Sequence, residues 1–306
     1  MILDERDIRD ALTKMKPPSE AALIKTPSQV RDDVVALVHD DSFGMQGYPI
    51  HFQGFEPKLR FRPSEVSIWC GQNHTGKSEV LNQFILSQSG ECKSFIMSPE
   101  MPLHVTVKNM CQQICKSDKP PIQTIDKFIN MIEGKIYLLD QDGMFNPDDV
   151  IALIRYVHAE YGCFHFVIDS LMKCGINENE DHGRIKNFVD QLCITAKYLK
   201  CHIHLVAHSK KPNGIGERPS RYDIKGSGAI SDLVDNVLIM WRNNEKEKRL
   251  DEGVRDHAKE MELEAEPDAR LIVDKQRHGS SWRGSINLKH CQQSRSFYVP
   301  DNRFSV

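Results

Sequence analysis

GQNHTGKS, Gly71–Ser78, matches the pattern G-x-x-x-x-G-K-S at every fixed position. It lies between the apolar run VSIWC (66–70) and EVLNQFILSQ (79–88). The first reads as a short strand and the second as a helix starting near Lys77, which is the setting a phosphate-binding loop requires. Gly71 and Gly76 let backbone N–H groups turn toward phosphates with no side chain in the way. The helix N-terminus adds partial positive charge. Lys77 can reach the β- and γ-phosphates, and the Ser78 hydroxyl can ligate Mg²⁺. All eight residues, Gly71, Gln72, Asn73, His74, Thr75, Gly76, Lys77 and Ser78, are therefore candidate nucleotide-binding residues.

Outward from this loop the chain alternates apolar runs with amphipathic stretches. KSFIMS (93–98), KIYLLD (135–140), CFHFVID (163–169), HIHLVAH (202–208) and NVLIMW (236–241) read as strands. DDVIALIRYVHAEYG (148–162) and GRIKNFVDQLCITAKYLK (183–200) read as helices with one apolar face. Continuous apolar strands alternating with helices predict a mainly parallel sheet covered on both faces, an α/β fold. RLIVDKQRHGSSWRGSINLKH (270–290) reads as two strands around a Gly/Ser-rich turn. The dense mixed-charge run 243–270 reads as a solvated helix or surface insertion. Residues 2–15 read as a short amphipathic helix, and 16–28, with three prolines, as a linker. The expected division is 1–44, helix and linker, and 45–306, the nucleotide-binding domain.

An acid closing a later strand is needed on the metal side, and Asp169 in FVIDS offers it. Glu100 in MSPEM follows the strand after the phosphate-loop helix. A carboxylate there faces the γ-phosphate and can take a proton from water.

Composition bounds the rest. Hydrophobic residues are 40% and charged residues 27% of the 306, as in ordinary soluble domains. No apolar stretch is long enough to span a bilayer, and the N-terminus lacks a signal-peptide core, so a cytoplasmic location is expected. Nine cysteines with no C-x-x-C predict buried or half-buried free thiols. A net charge of −3 excludes a uniformly basic nucleic-acid binder but not a channel with a basic lining.

The ordered set GQNHTGKS, MSPEM, FVIDS, HLVAHSKKP, DIKGSGAISDLVDNVLIMWRN and IVDKQRHG resembles the ring-shaped replicative helicases of superfamily 4. The resemblance is strongest to the helicase half of phage primase–helicases and Twinkle, with DnaB-type enzymes as cousins. It spans roughly residues 45–290 and implies a RecA-like core. It also implies hydrolysis of ATP or another NTP or dNTP with Mg²⁺, movement on single-stranded DNA with 5′–3′ polarity, and a homohexameric ring. Glu100 then fits the catalytic glutamate. His208 fits the position that senses the γ-phosphate, where DnaB-type members carry Gln. Lys275 and Arg277 fit the pair that reaches across a subunit boundary, Arg277 as the arginine finger. Lys210, Lys211, Asn213, Lys225, Gly226, Ser227 and Gly228 lie in a basic, Gly- and Pro-rich segment suited to a phosphodiester backbone. Residues 2–15 fit the linker helix that docks on an adjacent subunit. The stretch before residue 45 is too short for a primase domain, so priming, like polymerase and loader functions, is expected from other chains. A phage or other mobile element, acting in the host cytoplasm, fits so short a form. A RecA-like recombination or repair ATPase without unwinding and a non-catalytic nucleotide-binding accessory are the rival readings.

Overall fold

All seven residues of Glu65–Gly71, the strand entering the phosphate loop, are buried. Their side chains alternate between two apolar clusters. Val66, Ile68 and Cys70 face one, Trp69 faces the other, as a period of two requires of a strand covered on both sides. The computed structural model describes residues 26–39, 46–53, 55, 58–140, 143–175, 182–209, 220–224, 228–253, 256–279 and 281–300.

In chain order these form α1 (Arg31–His39), β1 (Tyr48–Pro49), β2 (Arg60–Phe61), β3 (Glu65–Gly71), α2 (Lys77–Gln88), β4 (Ser94–Met97), α3 (Leu103–Cys115), α4 (Ile122–Ile132) and β5 (Ile136–Leu138). Next come α5 (Pro147–Tyr161), β6 (His165–Ile168), α6 (His182–Leu199), β7 (His202–His208), α7 (Gly228–Leu233) and β8 (Asn236–Arg242). The chain continues through α8 (Asn244–Asp251), α9 (His257–Ala265), β9 (Ala269–Gln276), β10 (Gly284–Cys291) and β11 (Ser296–Tyr298). One sheet of nine strands runs in the order β11-β10-β9-β8-β3-β7-β6-β4-β5. β8, β3, β7, β6, β4 and β5 are mutually parallel, while β9, β10 and β11 add antiparallel at one edge. β1 and β2 pair separately.

The predicted strands and the two named helices lie where the periodicity puts them, within a residue or two at each end. The fold is the expected α/β, RecA-like core. Helices α5 and α6 bury Val150, Ile154, Phe188, Val189 and Leu192 on one face of the sheet. Helix α2 lays Val80, Leu81, Phe84 and Ile85 on the other. Each such side chain contributes roughly 1.5–3 kcal/mol by leaving water.

Under α2 the sheet carries a polar stripe inside the apolar layer. His202 Nδ1 faces the Arg62 carbonyl at 2.6 Å, so it holds the proton, and Nε2 accepts from Ser67 Oγ at 2.8 Å. The Trp69 indole donates to His204 Nδ1 at 3.1 Å, which leaves His204 Nε2–H to donate to His165 Nδ1 at 3.1 Å. All three rings are fully buried. Burial pushes the pKa of His202 down to about 3, and burial with its imidazole neighbours holds His165 and His204 well below the ordinary value.

Two regions differ from expectation. The predicted linker 16–28 ends in a 3₁₀ turn, Pro27–Val30, that runs into α1. Pro27 supplies a helical φ at the first position, where no N–H is needed. The mixed-charge run holds two helices, α8 and α9, closed on each other by Lys246, which is 4% exposed. Its ammonium donates to the carbonyls of Glu264 (3.0 Å) and Glu266 (2.7 Å) and to the Asp268 carboxylate. None of the nine cysteines is in a disulfide; six are buried and three half-buried. No described helix is long and apolar enough to cross a membrane. The amphipathic segment 2–15 lies outside the described residues.

Candidate functional site

The phosphate loop leaves β3 and enters α2 through Gly76, whose φ of +89° makes it the left-handed cap of the helix. A β-carbon at Gly76 would sit 2.5 Å from the Phe297 ring, and one at Gly71 would sit 2.5 Å from the Met240 carbonyl oxygen. Both glycines are thus required by space, and Gly76 by conformation as well. Lys77 is 6% exposed, and its ammonium donates to the carbonyls of Gly71 (2.9 Å) and Gln72 (2.7 Å) at the mouth of the loop. Burial lowers its pKa, against the opposing charges of Asp169 and Glu100.

Strand register brings the acids to the same edge. β4 and β6 are neighbours, with Met97 opposite Ile168, so Glu100 and Asp169 both lie just past their C-terminal ends. Ser78 Oγ donates to Asp169 Oδ2 at 2.5 Å. Ser170 Oγ donates to Glu100 Oε1 at 2.6 Å. Asp169 is 9% exposed, and burial raises its carboxyl pKa, with the nearby Glu100 charge adding to the rise and Ser78 and Lys77 opposing it. A hydroxyl and a buried carboxylate at this spacing are hard oxygen donors that suit a divalent cation. Ser78 and Asp169 therefore fit Mg²⁺. His208 ends β7 directly opposite Gly71 on the adjoining strand. Lys77, Ser78, Glu100, Asp169 and His208 all line one open cleft of about 970 Å³, together with Asn73, His74, Thr75 and Gly76. This is the crevice at the carboxyl ends of parallel strands where α/β proteins bind ligands.

A family model described as the DnaB-like helicase C-terminal domain matches residues 49–298. The chain belongs to this family. It is an NTP-dependent DNA helicase of the replicative class, and the phosphate-loop cleft is its ATPase site. Among solved structures it is similar to the ATPase domain of a replicative helicase, with a TM-score of 0.74 at 13% identity over 90% of this chain and 99% of that one. A DnaB-like replicative helicase, solved for its interactions with primase, matches with a TM-score of 0.73 at 14% identity over 95% and 71% of the two chains. A KaiC-like protein from the hyperthermophilic archaeon Pyrococcus horikoshii gives 0.57 at 15% identity over 83% and 99%. At such identities the likeness is one of fold.

In this DnaB-like domain Lys275 and Arg277 stand apart from the cleft. Gln276 pairs with Asn236, and Asn236 with Ser67, while the Arg277 N–H donates to the Asp235 carbonyl at 2.9 Å. Asp235 in turn bonds Val66, five residues before Gly71. At the rise of a strand that is about 16 Å from the phosphate loop, at the opposite edge of the sheet. Lys210, Lys211, Asn213, Lys225, Gly226 and Ser227 lie outside the described residues, and Gly228 is the first residue of α7.

The cleft also contains residues that no motif announces. Arg242, at the end of β8, donates to the His74 carbonyl at 3.3 Å and pairs with Glu247 at 2.6 Å. Glu79 is held between His290 (3.1 Å) and Arg295 (2.8 Å). Burial pushes the Glu79 carboxyl up, but the His290 hydrogen bond and the two cationic neighbours outweigh it and leave the pKa lowered. Phe297 is clamped over the loop by Gln83, which accepts from its N–H (2.7 Å) and donates to its carbonyl (3.0 Å).

Proposed function

We propose that this domain works as one subunit of a homohexameric ring that moves 5′–3′ along single-stranded DNA and separates duplex ahead of it, each nucleotide site being completed by the neighbouring subunit. The observation that carries this reading is the position of Arg277. The groups suited to bind and cleave a nucleotide converge in one cleft, whereas this guanidinium is held at the far edge of the sheet, with no path to its own phosphate loop.

The roles follow from the chemistry. Loop N–H groups and Lys77 cradle the phosphates of ATP or another NTP or dNTP. Ser78 and Asp169 hold Mg²⁺, which when bound offsets charge on the phosphate oxygens. Glu100 takes the proton of the attacking water, with Ser170 fixing the carboxylate that does so. His208 senses the γ-phosphate, and Lys275 and Arg277 reach a neighbour's γ-phosphate, where a guanidinium stabilises the transferring group. Lys210, Lys211, Asn213, Lys225, Gly226, Ser227 and Gly228 track the DNA backbone. The segment 2–15 docks on an adjacent subunit. Primase, polymerase and loader are separate chains, and the protein works in the cytoplasm.

A forked duplex with a free 5′ tail tests the reading. Strand displacement that needs hydrolysable nucleotide and the 5′ tail is expected. DNA-stimulated hydrolysis with no displacement on either a 5′- or a 3′-tailed fork would contradict it and favour a filament-forming ATPase of the same fold.

A further inference from the structure

The two residues at the far edge are anchored together. Lys275 Nζ donates to the carbonyls of Ser231 (2.7 Å), Asp232 (3.1 Å) and Val234 (2.8 Å). Arg277 Nη2 donates to the Asp232 carbonyl at 2.6 Å. Its Nη1 bonds Asp235 Oδ1 at 3.2 Å. These carbonyls close the C-terminal turn of α7, where a helix leaves its acceptors unfilled and carries partial negative charge. Two cations therefore cap one short helix. Asp235 holds the arrangement from below: it is 3% exposed, and its second oxygen accepts the Val66 N–H at 3.0 Å. His278 Nε2 lies 3.5 Å from the same oxygen that binds Arg277. Helix α7 begins at Gly228, directly after the basic segment 210–227. One set of hydrogen bonds thus joins the exit of the basic segment to the side chain presented across the subunit boundary.

We propose that Asp235 is the positioning residue of Arg277. It fixes the guanidinium against the end of α7, so that displacement of the basic segment is passed through α7 to the neighbour's nucleotide site. The inference rests on the reading that Arg277 acts in a neighbouring subunit. Asp235 touches no nucleotide; it acts through Arg277 and the α7 carbonyls. A carboxylate suits this task because it binds a guanidinium with one oxygen while the other is pinned by a strand N–H of β3.

The test uses Asp235→Asn. The amide keeps an oxygen for the Val66 N–H but presents N–H where Arg277 needs an acceptor. Asp235→Ser, whose hydroxyl is too short to reach the guanidinium, is the second variant should the first lose its fold by circular dichroism. NTP hydrolysis is measured for each variant alone and in rings co-assembled with Lys77→Ala subunits, and Arg277→Ala is taken through the same mixing. Misplacement of a catalytic group by an ångström costs up to about 100-fold, so Asp235→Asn alone is expected to lose roughly 10- to 100-fold and most of its stimulation by single-stranded DNA. In the mixture a Lys77→Ala subunit, with Asp235 and Arg277 intact, serves the working phosphate loop of its neighbour, and the rate rises above the sum of the two variants. A merely structural role would not be rescued by a neighbour. If Arg277→Ala is rescued and Asp235→Asn is not, or if Asp235→Asn alone keeps wild-type rate and DNA stimulation, the positioning role is wrong. If neither mixture is rescued, the shared-site reading itself falls.

Discussion

At the residue scale the cleft is a meeting of short polar contacts. Ser170 illustrates how little of this a motif carries. It follows Asp169 in sequence, yet its hydroxyl serves Glu100, 70 positions away, at 2.6 Å. Removing it leaves the carboxylate in place but free to rotate. Ser170→Ala is therefore expected to lower kcat by about tenfold with little change in KM, read from steady-state NTP hydrolysis. A change confined to KM would show that Ser170 serves binding instead. The phosphate loop is legible in the sequence because its eight residues are contiguous and each has a fixed chemical task. Arg242, His290 and Arg295 are not, because three separate strands or turns bring them to the cleft and nothing local marks them. Asp235 is hidden for the same reason: its partners, Val66 and Arg277, come from β3 and the end of β9.

At the element scale, legibility follows length and burial. β3 and β7 are buried along their whole length and read as unbroken apolar runs. The three-residue β11 is too short to give a periodic signal, although its Phe297 shapes the phosphate loop. α1 escapes a sequence reading because prolines on its N-terminal side mark a linker. The charged run 243–270 reads as a solvated surface element. Most of its residues are exposed, but a run of charges does not show which lysine turns inward. Lys246 does, and it satisfies two carbonyls and the Asp268 carboxylate at once. Lys246→Met is expected to destabilise the α8–α9 pair by about 3 kcal/mol, because Asp268 and two carbonyls lose their shared donor. Limited proteolysis should then cut within 244–265 well before the remainder of the domain. Cleavage at the wild-type rate would show that the contact adds no stability.

For the whole molecule, the fold depends on a layer of neutral histidines. His202, with a pKa pushed down to about 3, and His165 and His204, also held well below the ordinary value of about 6.5, stay uncharged in the folded state. Below pH 6.5 the unfolded chain binds protons that the folded chain refuses. The stability these groups give is present in full above their unfolded pKa and is lost as pH falls toward their folded pKa values. Each histidine accounts for about 1.4 kcal/mol between pH 7.5 and 5.5. The unfolding free energy from urea titrations should accordingly fall by a few kcal/mol over that range, before the carboxylates titrate. A flat profile would contradict a neutral buried cluster.

The central claim is that the nucleotide site is shared between subunits of a DNA-driven ring. The most direct measurement is the NTP hydrolysis rate of wild type and Arg277→Ala, with and without single-stranded DNA, with oligomeric state recorded on the same samples. The account predicts strong stimulation by DNA in wild-type rings. In the variant it predicts loss of turnover by at least about 100-fold although the ring persists. A rate indifferent to both DNA and Arg277 would contradict it.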